Sequence, residues 1–88
     1  MNAILQKFSE ASKLVSFSQK QMGERVYDAY INYLEDVKSD EIPDKIRITF
    51  DSVRFRLIST IPYQFIDNCE AAHIAEDIHY MAGFMLMH

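Results

Sequence analysis

The sequence predicts an all-α fold: a small bundle of three or four helices with a long C-terminal helix. Two observations lead to this prediction. Apolar residues recur at helical spacing along residues 19–38, and residues 62–88 are rich in apolar residues at the same spacing. With 88 residues, 49% of them hydrophobic, the chain is sized for one small domain with a core. Residues 1–88 are therefore expected to form a single helical domain.

Two helices are predicted in the first half of the chain. The first covers roughly residues 2–15, and the second runs from about Gln19 to Lys38. Each has apolar residues at intervals of three and four, which is the pattern of a helix that buries one face. The buried face of the first helix is expected to contain Ile4, Phe8, Ala11 and Val15, and that of the second Met22, Val26, Ala29, Tyr30, Tyr33, Leu34 and Val37.

The stretch FSQKQM indicates where the second helix begins. Ser18 and Gln21 have the spacing of a capping box, and Phe17 and Met22 have the spacing of a hydrophobic staple. The helix is expected to end at the stretch KSDEIPD, because its polar residues favour turns and Pro43 stops a preceding helix.

Residues 45–59 fit two structures, so the fold class has an α+β alternative. As two strands, the segment alternates strictly on either side of Asp51 and Ser52, where a two-residue turn would complete a β-hairpin. The helix is favoured, because Asp-Ser is a poor turn sequence and a lone hairpin is barely stable. As a helix, the segment carries one apolar stripe made of Ile46, Phe50, Val53, Leu57 and Ile61.

A long last helix is predicted from Pro62 almost to the C-terminus, with Ser59 or Thr60 as its cap. Its length would be roughly 35–40 Å at the rise of an α-helix. Its core stripe is expected to consist of Ala71, Ile74, Ile78, Met81 and Met85.

The final stretch, YMAGFMLMH, is apolar all round the predicted helix. A helix of this kind needs burial on every side, and the Ala82-Gly83 pair would permit close approach of another helix. We therefore expect a homodimer, because a large exposed apolar patch would otherwise remain. The predicted interaction surface consists of Tyr80, Met81, Phe84, Met85 and Met87.

Charge and composition limit the classes of partner that the protein is expected to bind. The net charge is −4, and residues 57–88 contain no Lys or Arg, so direct binding to nucleic acid is not expected. No apolar run approaches the ~18 residues of a membrane span, and the N-terminus lacks the pattern of a secretory signal. Cys69 is the only cysteine, so no intramolecular disulfide forms. The expected location is the cytoplasm, with another protein as partner, no membrane and no cofactor.

The stretch EAAHIAEDIHY contains Glu-x-x-His twice, a spacing that di-iron helical bundles use. On one helix, His73 and His79 point about 120° apart, so the two copies do not form one site. Glu70, His73 and Asp77 do share one side and are the candidate metal ligands. No metal is expected, because such residues at helical spacing are ordinary surface pairs.

Aromatic and cationic residues give candidates for a small-ligand site, although no catalytic motif accompanies them. A Gly-x-Ser-x-Gly elbow and a phosphate-binding glycine loop are both absent from the sequence, so neither an enzyme nor a catalytic residue is expected. The tyrosines could contact a ring and the arginines an anionic group. These ligand-binding candidates are Tyr27, Tyr30, Tyr33, Arg54 and Arg56.

The expected function is that of a non-catalytic binding protein that acts by protein–protein interaction as an inhibitor, adaptor or regulator, and as a homodimer. Immunity proteins and phage inhibitors of host defence are small proteins of this class, and the comparison is an analogy of class only. Two alternatives stay open. One is an oligomer that binds or sequesters a small ligand or nucleotide, and the other is a metal-binding helical protein that uses Glu70, His73 and Asp77.

Overall fold

The computed structural model describes residues 3–59 and 66–87, which form four α-helices. Neither described range contains a β-strand, so the predicted all-α bundle with a long C-terminal helix is confirmed. Two short elements separate the second and third helices, and the first of them, a π-helical turn, is called the π segment below. In chain order the elements are α1 (Ala3–Phe17), α2 (Met22–Ala29), the π segment (Tyr30–Leu34), a 3₁₀ turn (Ser39–Glu41), α3 (Asp44–Ser59) and α4 (Asn68–Met87).

The β-hairpin alternative for residues 45–59 is wrong, because this segment lies within α3. A helix brings residues three and four apart to one face, and that face of α3 is buried. A strand would have placed Ile48 on the same face as Ile46 and Phe50, but Ile48 is 82% exposed. The buried stripe contains four of the five predicted residues, Ile46, Phe50, Val53 and Leu57, and the fifth, Ile61, lies outside the described residues.

α1 and α2 form an antiparallel helical hairpin. Only residues 18–21 connect the two helices. Lys7 precedes this connection by more than ten residues and Asp36 follows it by more than ten, yet Nζ of Lys7 lies 3.1 Å from Oδ1 of Asp36. The hydrogen bond from Lys7, together with its positive charge, holds the pKa of the Asp36 carboxyl below its ordinary value. The ion pair therefore joins α1 to the chain that follows the π segment.

The predicted capping box between Ser18 and Gln21 does not form. α1 extends to Phe17, so Ser18 follows its last turn, and the Ser18 hydroxyl accepts a hydrogen bond from the Lys20 amide at 3.2 Å. Extended backbone at Gln21 precedes α2, and the Gln21 side chain makes no capping hydrogen bond. Phe17 is 80% exposed, so the predicted staple with Met22 is also wrong.

The predicted helix over residues 19–38 is wrong in its second half. α2 ends at Ala29, and the π segment follows it. Directly after this segment, the Glu35 amide donates to the Tyr30 carbonyl, five residues back, at 2.8 Å. The break predicted at KSDEIPD is confirmed, because α3 begins directly after Pro43. The predicted apolar face nevertheless stays buried through Val26, Ala29, Tyr30, Leu34 and Val37.

α4 begins later than predicted. Ile66 and Asp67 are not helical, so a continuous helix from Pro62 is wrong, and the predicted cap at Thr60 lies outside the described residues. The first turn of α4 forms where the Ala71 amide donates to the Asp67 carbonyl at 2.8 Å. With 20 residues, α4 is about 30 Å long.

The core lies around the buried face of α4, which packs against α1, α2 and α3. The five residues of its predicted stripe are all buried, as are Ala75 and Ala82. Across the core, the rings of Phe8 and Phe50 meet edge to face with their centroids 5.9 Å apart. None of the described helices combines the length and the apolar character needed to cross a membrane.

Two phenylalanines on α3 test this division into a buried and an exposed face. Phe50 is fully buried, whereas Phe55 is 72% exposed. Phe50→Ala should lower the free energy of unfolding by roughly 3–5 kcal/mol, because it leaves a cavity in the core. Phe55→Ala should change it by less than about 0.5 kcal/mol. Urea denaturation of both variants checks this, and similar losses in the two would contradict the described orientation of α3.

Candidate functional site

A cavity of about 400 Å³ lies between α3 and the chain from α2 through the π segment. This volume falls within the ~300–1,000 Å³ typical of small-molecule sites. Most of the lining is aromatic or aliphatic, with one guanidinium and one carboxylate. The lining residues are Tyr27, Tyr30, Ile31, Glu35, Arg54, Leu57 and Ile58, and this cavity is called the cleft below.

Arg54 reaches from α3 to the end of the preceding helical segment. Its Nε donates to the Tyr30 hydroxyl at 3.0 Å. Its Nη2 donates to the carbonyls of Leu34 at 3.4 Å, Glu35 at 3.3 Å, and Val37. The last carbonyls of a helix have no partner inside the helix, and their partial negative charge favours a cation. Arg54 therefore caps the π segment from a helix 20 residues further along the chain.

Aromatic rings hold the same guanidinium in place. Its central carbon lies 4.6 Å from the centroid of the Phe50 ring and 6.0 Å from that of Tyr30. Cation–π contacts of this kind are worth more where the cation is partly desolvated, as Arg54 is. The polar end of the cleft is thus fixed by both hydrogen bonds and ring contacts.

The π segment forms one wall of the cleft through Tyr30 and Ile31. π-helical turns are rare, and they are frequently found at functional sites. The sequence prediction of a continuous α-helix missed this turn. The carbonyls at the end of this turn bond to Arg54, so we infer that a contact between residues far apart in the sequence helps to stabilise it.

Four lining residues of the cleft were not among the sequence candidates: Ile31, Glu35, Leu57 and Ile58. Leu57 was assigned to the core, where it is indeed buried. Ile31 and Ile58 lie off the predicted apolar stripes and remain partly exposed, Ile58 at 55%. The sequence contains one indication of Ile31 and Ile58, which is that each is an apolar residue on the polar side of its predicted helix. Glu35 carried no such signal.

Three of the five predicted ligand-binding residues lie in the cleft, and the other two lie elsewhere. Tyr27, Tyr30 and Arg54 meet in the cleft. Tyr33 instead lines a second, smaller cavity of about 220 Å³ beside α1. Arg56 points away from the cleft, and its Nη1 lies 3.8 Å from Oδ2 of Asp77 on α4.

The metal candidates do not come together as a complete site. His73 is exposed on α4, and Asp77 pairs with Arg56. Across residues 3–59 and 66–87, no three His, Cys, Asp or Glu side chains are placed to hold one ion. Cys69 is a free, exposed thiol on the same helix.

The predicted interaction surface is divided between the core and solvent. Met81 and Met85 belong to the core of the single chain and are buried, so they do not form an exposed surface. Phe84 is half-buried and its ring centroid lies 6.5 Å from that of Tyr80. Tyr80 is 51% exposed and Met87 81% exposed. Leu86, which was not among the candidates, is exposed as well.

Ser12 and His79 form a contact that the sequence did not predict. Oγ of Ser12 and Nδ1 of His79 share a hydrogen bond at 2.6 Å, which joins α1 to α4. Both residues lie in helix interiors, where the backbone N–H groups are used by the helices themselves.

Comparison with known proteins finds no matching family model, no similar curated protein and no similar solved structure.

The capping role of Arg54 is tested by replacing it. Arg54→Met keeps an apolar stem but removes every donor, and should lower the free energy of unfolding by roughly 2–3 kcal/mol. Arg54→Lys should recover less than half of that loss, because an ammonium does not reproduce the fork of donors. Lys45→Met, at an exposed cation of the same helix, is the control and should stay within about 0.5 kcal/mol. Equal stability of Arg54→Met and wild type in urea denaturation would contradict the role.

Proposed function

We propose that this protein is a non-catalytic binding protein that acts by protein–protein contact and works as a homodimer. The observation that supports the proposal is a solvent-facing apolar patch near the end of α4. Residues three and four apart share a helix face, so the side chains there surround one glycine. This patch, called the α4 patch below, consists of Tyr80, Gly83, Phe84 and Met87.

Gly83 lies where the fold of the single chain has no need of a glycine. A Cβ added at this position would have no heavy atom of the described structure within 4 Å, apart from the helix itself and its chain neighbours. Glycine in a helix interior costs about 1 kcal/mol relative to alanine. An open glycine among exposed apolar side chains permits the close approach of a second helix, as small residues do between packed helices in membranes. The glycine thus supports an interface rather than a role in internal packing.

The charge pattern favours a second copy of the same chain on this patch. Residues 80–87 contain no charged side chain. In a two-fold dimer the same patch lies on both subunits, so any charge would face its own copy. The acidic residues of α4 all lie before residue 80. Two α4 helices can therefore cross near Gly83 without bringing like charges together.

Self-association through α4 would leave a second apolar surface on α3 for another protein. Ile48 and Phe55 are both more than 70% exposed and lie seven residues apart, on one side of the helix. Ser52 lies between them on the same side. Such a surface suits an inhibitor, adaptor or regulator, whose work is contact with a partner. A cytoplasmic location remains the expectation from the sequence.

Filling the space at Gly83 tests the dimer. Gly83→Leu should bring the molar mass measured by light scattering from that of a dimer to that of a monomer, because the side chain keeps the helices apart. The monomer itself should remain at least as stable, since leucine is the better helix former and nothing obstructs its Cβ.

Ala72→Leu is the matched control for this substitution. Ala72 is exposed on the same helix, and its separation of eleven residues from Gly83 places both on one side. The Ala72→Leu protein should keep the dimer mass. A wild-type protein that is monomeric at all concentrations, or a Gly83→Leu protein that stays dimeric, would contradict the proposed interface.

A further inference from the structure

We propose that the cleft binds a small, neutral heteroaromatic molecule that both accepts and donates hydrogen bonds, which is the chemistry of a nucleobase. The proposal concerns α2, the π segment and α3, and does not rest on dimerisation through α4. Size, polar groups, net charge and backbone geometry each contribute to it.

The walls of the cleft suit a flat apolar body. Tyr27, Tyr30, Ile31, Leu57 and Ile58 supply rings and branched aliphatic chains to a space of about 400 Å³. Ligand sites are mostly apolar, with a few placed polar groups that fix orientation. Tyrosine side chains are also frequent contacts for nucleobases, because every base has a π face.

Two polar groups in the cleft are complementary to a heterocycle. In the described part of the chain, the hydrogen bonds of Arg54 use Nε and Nη2 and none uses Nη1, which leaves two N–H donors for an acceptor on a ligand. Glu35 lines the same cavity and is exposed, and its carboxylate can accept hydrogen bonds. A nucleobase carries ring or carbonyl acceptors and N–H donors within one plane, and so addresses both groups.

The charge of the cleft favours a neutral molecule over a phosphate. The positive charge of Arg54 is already offset by the carbonyls of Leu34, Glu35 and Val37. The Glu35 carboxylate adds a full negative charge at the same cavity. These oxygens would repel the negative charge of an incoming phosphate, whereas a neutral base carries no charge for them to repel. The cleft is therefore expected to prefer a nucleoside to its nucleotide.

The π segment gives an independent reason to place a ligand here. It is the irregular turn in a helical stretch, and Tyr30 and Ile31 from it line the cleft. Ile31 and Ile58 remain partly in solvent at this cavity, and a bound ring would remove them from water. The apolar exposure and the unusual turn thus coincide at one place.

NMR titration of the ¹⁵N-labelled full chain tests the proposal, with guanosine, adenosine, cytidine and uridine as the probes. At least one nucleoside should shift the amides of Ile31, Glu35 and Ile58 in a saturable way. Its 5′-monophosphate should bind at least tenfold more weakly, because of the charge at Glu35. No saturable shift with any of the four nucleosides would overturn the proposal, and tighter binding of the monophosphate would overturn the preference for a neutral ligand.

Matched tryptophan variants locate the binding. Ile58→Trp would fill the cleft from an exposed position and should reduce affinity at least tenfold, whereas Ile48→Trp, on an exposed position of the same helix, should leave it unchanged. Equal binding by the two variants would overturn the assignment to the cleft. The Gly83→Leu protein should bind the nucleoside as wild type does, so failure of the dimer and failure of the ligand site are separate outcomes.

Discussion

The hydrogen bonds from the Arg54 guanidinium to the end of the π segment are the interaction on which the rest of the structure depends. They bind carbonyls at and beyond this helix end, among them that of Leu34, which also accepts from the Val37 amide, and they hold this end against α3. The same guanidinium binds the Tyr30 hydroxyl and lies over the Phe50 ring, which packs on Phe8 of α1. One cation thus joins the polar end of the cleft to the core.

The packing of α3 and α4 leaves apolar side chains of both helices in water. Because α3 directs its Phe50 face inward, Ile48 and Phe55 are left in water, and on α4 the buried face leaves the Gly83 side exposed. Exposed apolar patches on a small protein commonly mark sites of contact with other molecules. The proposed roles divide the surface: α4 for a second copy, α3 for a partner protein, and the cleft for a small molecule.

Sequence periodicity predicted what depends on neighbours along the chain. It gave the helical bundle, the buried stripe of α3 and the core face of α4, because burying one helix face imposes a local pattern. It also selected Tyr30 and Arg54 as candidates. It did not predict that these two residues meet, and it did not predict the π segment. The end of that segment bonds to Arg54, 20 residues further along the chain, and local periodicity carries no information on such a contact. Met81 and Met85 were wrongly assigned to the interaction surface. When a helix is apolar on every side, the sequence does not indicate which side packs against the core of its own chain.

The dependence of the π segment on Arg54 is tested most directly by identifying the hydrogen-bond partner of the Glu35 amide from NMR scalar couplings across hydrogen bonds. In the wild type the coupling should reach the Tyr30 carbonyl, five residues back, as the π segment requires. In Arg54→Met it should move to the Ile31 carbonyl, four residues back, because an α-helix is the default once the carbonyls lose their cap. A wild-type coupling to Ile31, or an unchanged coupling to Tyr30 in Arg54→Met, would contradict the claim that Arg54 maintains the π segment.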